Sequence, residues 1–372
     1  MDIHKALRLV VEKNSSELFV TVGYPPCLKI NNQITPISKQ PLTRPLAEQA
    51  IKALMDSQRF EQFCKTHESN YAVHLDNIGR FRVSAFYQKG EPGMVIRKIN
   101  TTIPTLPELG LPTHLGDQVL QPRGLILFVG AAGSGKTTSM AALIGHRNRA
   151  GTGHIITIED PIEFIHEHKN CIITQRDVGL DTESFEQGLA NALRQAPNVV
   201  AIGEIRSAKV MMHAIEFVET GHLCLATLHA NNAYQALERV IHFFPQEQRP
   251  QLLMDLSLNT QAIIGQQLIT SKEQNKVYPA VEVLLNTPRI ADLIKQGQID
   301  ELREVMGKSR EQGMQTFDQS LYDLYESGKI TYEKALQHAT SSNDLRLMIK
   351  LSGKMPPGHE GINIDSLKVS DD

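Results

Sequence analysis

The chain has 372 residues, of which 41% are apolar and 21% charged; about two or three domains with buried cores are affordable, and wholesale disorder, collagen-like and mucin-like chains are excluded. With 38 basic and 41 acidic residues the formal charge is −3, so no global cationic field draws the chain to nucleic acid or anionic lipid. Aromatics are only 5% and Trp is absent, which leaves little for a base-stacking platform.

The pattern from Ile3 to Val11 is amphipathic, and Asp2, His4, Lys5 and Arg8 interrupt any apolar stretch, so it reads as a helix (2–13) and not as an export signal. No run approaches the ~18 apolar residues of a membrane span. Cys27, Cys64, Cys171 and Cys224 lie far apart without a CxxC pair, which points to reduced, mostly buried thiols in a cytosolic protein. Short strands are expected at 18–22, 28–30 and around Ile34, then one helix over 46–63, then strands at 80–86 and 94–97. Residues 1–100 thus form a small α+β domain. Pro104, Pro107, Pro112 and Pro122, with Gly110 and Gly116, mark 101–122 as the linker between domains. From Leu125 onward, strands at 125–129, 154–158, 199–202 and 223–226 alternate with helical stretches. That alternation predicts an α/β core with a mostly parallel sheet over 123–350. After Leu285 the pattern is helical, with helices at 290–296, 300–305, 316–325 and 332–338. Residues 351–372, with Pro356, Pro357, Gly358 and Gly361 among charges, read as a disordered tail.

The strongest chemical signal is Gly130-Ala131-Ala132-Gly133-Ser134-Gly135-Lys136-Thr137, a full phosphate-binding loop between an apolar strand and the helical stretch that opens at Thr138. Glycines let successive N–H groups converge on phosphate oxygens, and the helix N-terminus adds positive potential. Lys136 is expected on the β- and γ-phosphates, and the Thr137 hydroxyl on Mg²⁺. The apolar run 199–202 ends in Gly203-Glu204, the place of a Walker B carboxylate, so Glu204 is a second candidate Mg²⁺ contact. The cluster Glu159-Asp160-Pro161-Ile162-Glu163 closes another strand, and at least one of its carboxylates is expected to face the γ-phosphate. His222 and His229 bracket the strand that starts at Leu223, and nothing local separates a surface role from a site role for either.

These boxes, in this order and spacing, resemble the hexameric secretion ATPases that power type IV pili and type II secretion. Ser16-Glu17-Leu18-Phe19 and Gly79-Arg80-Phe81-Arg82 extend the likeness into the N-terminal domain, so that it covers roughly 1–345. A tetracysteine site and an extra N-terminal domain, both features of pilus assembly ATPases, are missing; the chain therefore resembles the retraction branch, the PilT/PilU family. Leu228-His229-Ala230-Asn231-Asn232 and Arg239-Val240-Ile241-His242-Phe243-Phe244-Pro245 place it beside that branch's accessory members. The resemblance implies a RecA-like core after a PAS-like α+β domain, with ATP and Mg²⁺ bound in a homo-hexamer. It implies Glu163 as the catalytic glutamate, Glu204 as the Walker B glutamate and His229 as a γ-phosphate sensor. Arg82 and Arg97 would reach nucleotide at a subunit boundary. Partners implied are a paralogous retraction ATPase and an inner-membrane platform protein at the cytoplasmic face of the inner membrane, with no direct nucleic-acid contact.

Departures from the family pattern are Ser207, Ala196 and Asn198, each where a carboxylate is usual, and Arg289-Ile290-Ala291-Asp292-Leu293-Ile294 in place of the Ala-Ile-Arg-Asn-Leu-Ile motif. Three functions follow: a retraction motor, a nucleotide-binding subunit with weak hydrolysis that stabilises a partner ring, or a nucleic-acid translocase. The charge balance and the missing aromatics speak against the last.

Overall fold

The first helix, Ile3–Glu12, begins where the Asp2 carboxylate accepts the Lys5 N–H, which gives one orphan donor of the first turn a partner. Ile3, Ala6, Leu7 and Val10 recur at three- and four-residue steps and are all buried. The structure, a computed structural model, describes residues 2–30, 33–99, 102–273, 276–354 and 356. Its contacts divide the chain into two units, Met1–Thr102 with Glu163–Ile165, and Ile103–Ile162 with His166–Asp372.

In the first unit six strands, β1 (Glu17–Thr21), β2 (Cys27–Ile30), β3 (Gln33–Pro36), β4 (Glu68–Leu75), β5 (Gly79–Gln88) and β6 (Glu91–Ile99), form an antiparallel sheet of order β3-β2-β1-β6-β5-β4. Leu7, Phe63, Phe81, Val83, Met94 and Ile96 share its core. The single helix expected over 46–63 is two helices, Arg44–Lys52 and Ser57–Thr66. Asp56 caps the second by accepting the Arg59 N–H, a start signal inside the apolar periodicity. The edge strand β4 was not expected; Tyr71 is its only fully buried side chain, so it lacks an apolar alternation.

In the second unit the strands are β7 (Gly124–Val129), β8 (Gly153–Glu159), β9 (Cys171–Asp177), β10 (Val199–Ile202), β11 (Leu223–Leu228), β12 (Thr260–Thr270) and β13 (Val277–Leu285). Their order is β13-β12-β7-β11-β10-β8-β9; every pair is parallel except β12 with β13. Strands β7, β10 and β11 are buried along their whole length, as strands covered on both faces must be. Alternate residues feed two cores: Leu125, Leu127 and Val129 point into one, Ile126 and Phe128 into the other. Strands β9, β12 and β13 escaped the sequence reading because polar residues such as Gln175, Gln266 and Glu282 interrupt their apolar runs.

The segment expected as a linker is largely packed. Leu106, Leu111, Leu115 and Val119 are buried in one of these cores, and Leu115–Val119 is helical. Prolines there interrupt hydrogen bonding without preventing burial. Helices Pro288–Gln296, Leu302–Lys308, Phe317–Glu326, Tyr332–His338 and Ser342–Leu351 follow β13. The expected tail, beyond Pro356, lies outside the described residues. No described helix is long and apolar enough to cross a membrane. Cys27, Cys171 and Cys224 are buried free thiols and Cys64 is an exposed one.

Candidate active site

The loop at 130–137 joins β7 to the helix Lys136–Ala150. A Cβ on Gly130 would lie 2.3 Å from Ser134 Oγ and 2.5 Å from the Gln266 carbonyl oxygen, so the close approach of β12 admits only glycine there. Gly135 turns into the helix at φ +89°, a left-handed conformation natural to glycine. Lys136 is buried, and its Nζ donates to the Gly130 and Ala131 carbonyls at 2.8 Å each. Burial lowers the ammonium's pKa, and the charge of Glu204 opposes that shift. Ala131, Ala132 and Gly133 are exposed, while Thr137 and Thr138 are half-buried at the helix start. Ser134 Oγ is buried without a hydrogen-bond partner among the described residues, a polar atom that a phosphate oxygen in the cradle would satisfy. Behind the loop, Ser139 Oγ donates to Gln266 Oε1 at 2.6 Å and pins the helix to β12.

Because β11, β10 and β8 are neighbours in the sheet, their C-terminal ends bring three segments together. Glu204 follows β10; its Oε1 lies 3.1 Å from His229 Nε2, and its Oε2 accepts the Arg206 Nε–H at 2.7 Å. Arg206 continues to Asp160, with 3.5 Å between guanidinium and carboxylate. Gly203 is tight as well, since a Cβ there would be 3.1 Å from the Glu159 Cα. The two histidines separate cleanly. His229 joins Glu204, whereas His222 Nδ1 bonds at 3.0 Å to the Phe217 carbonyl and Thr220 Oγ1, a local role at the opposite end of β11.

Within the acidic cluster, Glu159 is buried and accepts from Thr157 Oγ1 at 2.6 Å and Gln175 Nε2 at 3.3 Å. Asp160 is the member tied to Arg206. Glu163 lies in the short segment that groups with the first unit, and the hydrogen bonds that gather Glu204, Arg206 and His229 do not include it. Arg82 and Arg97 also belong to the first unit, where they stand opposite each other on β5 and β6. Glu17 continues that row on β1 and Lys29 on β2. Glu17 Oε1 accepts from Arg97 at 3.0 Å and its Oε2 is 3.1 Å from Lys29 Nζ. Burial pushes the Glu17 carboxyl up, but bonds from Lys29, Ser16 and Arg97 outweigh it and hold the pKa below the ordinary value.

The three positions without the family's carboxylates have local tasks. Ser207 caps the helix Ala208–Glu219 by accepting the Val210 N–H. Asn198 Oδ1 accepts the His154 N–H at 2.8 Å, and Ala196 takes a left-handed turn at φ +49° before β10. Sequence reasoning missed Arg206 and Gln266. It also missed Glu282, which is buried on β13 and accepts the Ala233 N–H at 2.7 Å just after the His229 segment. A lone carboxylate between Val281 and Val283 was the available signal for the last.

Residues 3–322 match the family of type II/IV secretion system proteins. The chain is 55% identical to the type IV pilus ATPase PilU of Pseudomonas aeruginosa, over 100% of this chain and 98% of the relative. It is 34% identical to the pilus retraction ATPase PilT of the same organism, over 91% and 98% of the two chains. A crystal structure of the pilus retraction motor PilT with bound ADP superposes with a TM-score of 0.88 at 33% identity, covering 94% of this chain and all of that one (100%). The chain therefore belongs to the type II/IV secretion system protein family, as one of its type IV pilus retraction ATPases.

Proposed function

We propose that this chain is one subunit of a hexameric motor that hydrolyses ATP to withdraw pilin from the base of a type IV pilus. In this reading it works beside a paralogous retraction ATPase, against a platform protein at the cytoplasmic face of the inner membrane. The observation that carries the reading is the Glu204 carboxylate, held by His229 and Arg206 at the C-terminal ends of the same parallel strands that bear the Lys136 loop. The loop from Gly130 to Thr138 binds the phosphates: Lys136 exchanges its carbonyl partners for β- and γ-phosphate oxygens, and the 134–138 segment offers helix N-terminal amides. Thr137 and Glu204 are oxygen donors of the kind Mg²⁺ takes, and that ion would neutralise charge on the transferred phosphoryl group. Glu163 orients and deprotonates the attacking water, and His229 senses the γ-phosphate. Arg82 and Arg97 act on nucleotide held by a neighbouring subunit; Glu17 is the one carboxylate in their row.

The test is phosphate release by the purified protein, alone and with the paralogous retraction ATPase. Glu163→Gln should bind ATP normally and turn over roughly 10²-fold more slowly, the worth of a positioned general base. Normal turnover in that variant, with loss in Glu159→Gln, would reverse the assignment within the acidic cluster. No turnover by the wild-type protein, alone or mixed, would leave a nucleotide-binding subunit that stabilises a partner ring.

A further inference from the structure

The helix Ala208–Glu219 starts after Arg206 and its cap Ser207, and buries Val210, Met211, Ala214, Ile215, Phe217 and Val218. Its other face is not polar throughout: Met212 stays 56% exposed. Met212 lines a groove of about 760 Å³, shared with the helix Arg249–Asn259 and the turn at 244–248, whose floor is formed by the outer edges of the otherwise buried Ile215, Phe244 and Leu252. Around it stand Glu186, Glu216, Glu219, Glu247 and Asp255, against one cation, Lys209. Among the described residues none of these five carboxylates is ion-paired to a lysine or arginine; Glu216 meets His213, and Asp255 accepts from Gln251. In a chain with 38 basic and 41 acidic residues this is a local excess of uncompensated negative charge.

We propose that this groove receives a basic amphipathic helix of a partner protein. Apolar side chains at i, i+3 or i+4, and i+7 would seat on Met212, Ile215, Phe244 and Leu252, while lysines or arginines meet the acidic rim. The flexible thioether of Met212 suits a surface that must adapt to an incoming side chain. Charge selects the occupant. The chain's own C-terminal stretch carries Glu360, Asp365, Asp371 and Asp372 against Lys354 and Lys368, so the rim repels it. A like-to-like contact of two copies through this face is repelled likewise, and a contact with a different face of a second copy is read from the oligomeric state below.

The experiment titrates the full-length protein with a fluorescent Leu/Lys amphipathic helix carrying a benzophenone on its apolar face, beside a Leu/Glu helix of the same pattern. Saturable, salt-sensitive binding of the Leu/Lys helix with a photo-cross-link to Met212 is expected, and no binding of the Leu/Glu helix. Reversing two rim charges, Glu216→Lys with Glu247→Lys, should weaken the Leu/Lys helix by ~10-fold or more, whereas the same change at the exposed Glu311, which does not line the groove, should not. The cross-link map is read on the wild-type protein, so it stands even if the doubly reversed variant folds poorly. Cross-links confined to other surfaces, or equal binding of both helices, would overturn the proposal. A change of oligomeric state in Met212→Glu would overturn it too, by assigning the face to contacts between copies of this chain.

Discussion

Lys136 donates to two neutral carbonyls of its own loop, at 2.8 Å each. Phosphate oxygens form the stronger, charge-assisted version of the same bonds. Lys136→Ala should therefore lower affinity for a fluorescent ATP analogue by ~10²-fold, at about 1.5–3 kcal/mol for each hydrogen bond to a charged group. The circular dichroism spectrum should not change; unaltered affinity would refute the phosphate-loop assignment. Arg206 is a different case. It bridges Glu204 and Asp160 with a largely exposed side chain, so it contributes little to stability and much to where Glu204 points. Arg206→Ala is expected to lower kcat roughly 10-fold, within the range of lost positioning, at unchanged KM and an unchanged melting temperature. A KM effect without a kcat effect would make Arg206 a substrate contact and not a positioning residue.

Strand β13 carries Glu282 into the core, where it holds the start of the helix Ala233–His242. Burial raises its carboxyl from an ordinary 4.5 to about 7, against the lowering effects of the Ala233 N–H, Arg303 and the Phe317 N–H. The folded state thus keeps a proton that the unfolded chain releases, so the contribution of Glu282 to stability is complete below about pH 4.5 and is lost as pH rises to about 7. At 1.36 kcal/mol per unit the fall approaches about 3 kcal/mol. Urea midpoints between pH 5 and 8 should show that slope in the wild-type protein and lose it in Glu282→Gln; equal slopes would count against the buried carboxyl as its origin. A second anchor is Asp318 on the helix Phe317–Glu326. It is 3% exposed, pairs with Arg303 at 2.6 Å and accepts the Thr340 and Ser341 N–H groups at 2.7 and 3.2 Å. Asp318→Ala strands those donors, and chemical denaturation should register a loss of about 3 kcal/mol.

Each unit has its own core, so the chain assembles from two separately packed bodies with the candidate groups divided between them. Lys136 and Glu204 lie in one, Arg82, Arg97 and Glu163 in the other. If the arginines serve a neighbouring subunit, activity belongs to the ring, and specific activity rises with protein concentration until assembly saturates. Neither Lys136→Ala nor Arg82→Ala should be active alone, but mixed rings contain sites that join an intact loop to an intact arginine. A titration of one variant into the other, after subunit exchange, should then show a maximum near equal amounts. A flat titration would remove the trans role and leave the arginine row as a local feature of the antiparallel sheet.

The amino-acid sequence alone determined what contiguous residues can specify: the 130–137 loop, its flanking strand and helix, Glu204 at the end of an apolar strand, and the alternation that makes the sheet mostly parallel. Short-range patterns carry these because strand burial and loop curvature are properties of neighbours in the chain. Only tertiary structure decided that His229 and not His222 meets Glu204, that Asp160 closes on Arg206, and that Gln266 buttresses the loop. It also decided that Glu163 groups with the first unit. The contacts of His229, Asp160 and Gln266 depend on the order β12-β7-β11-β10-β8, which sets side by side strands far apart in sequence. Long-range pairing of that kind leaves no periodic trace in any one segment, so a polar residue at a strand end declares its partner only when the neighbouring strand is in place.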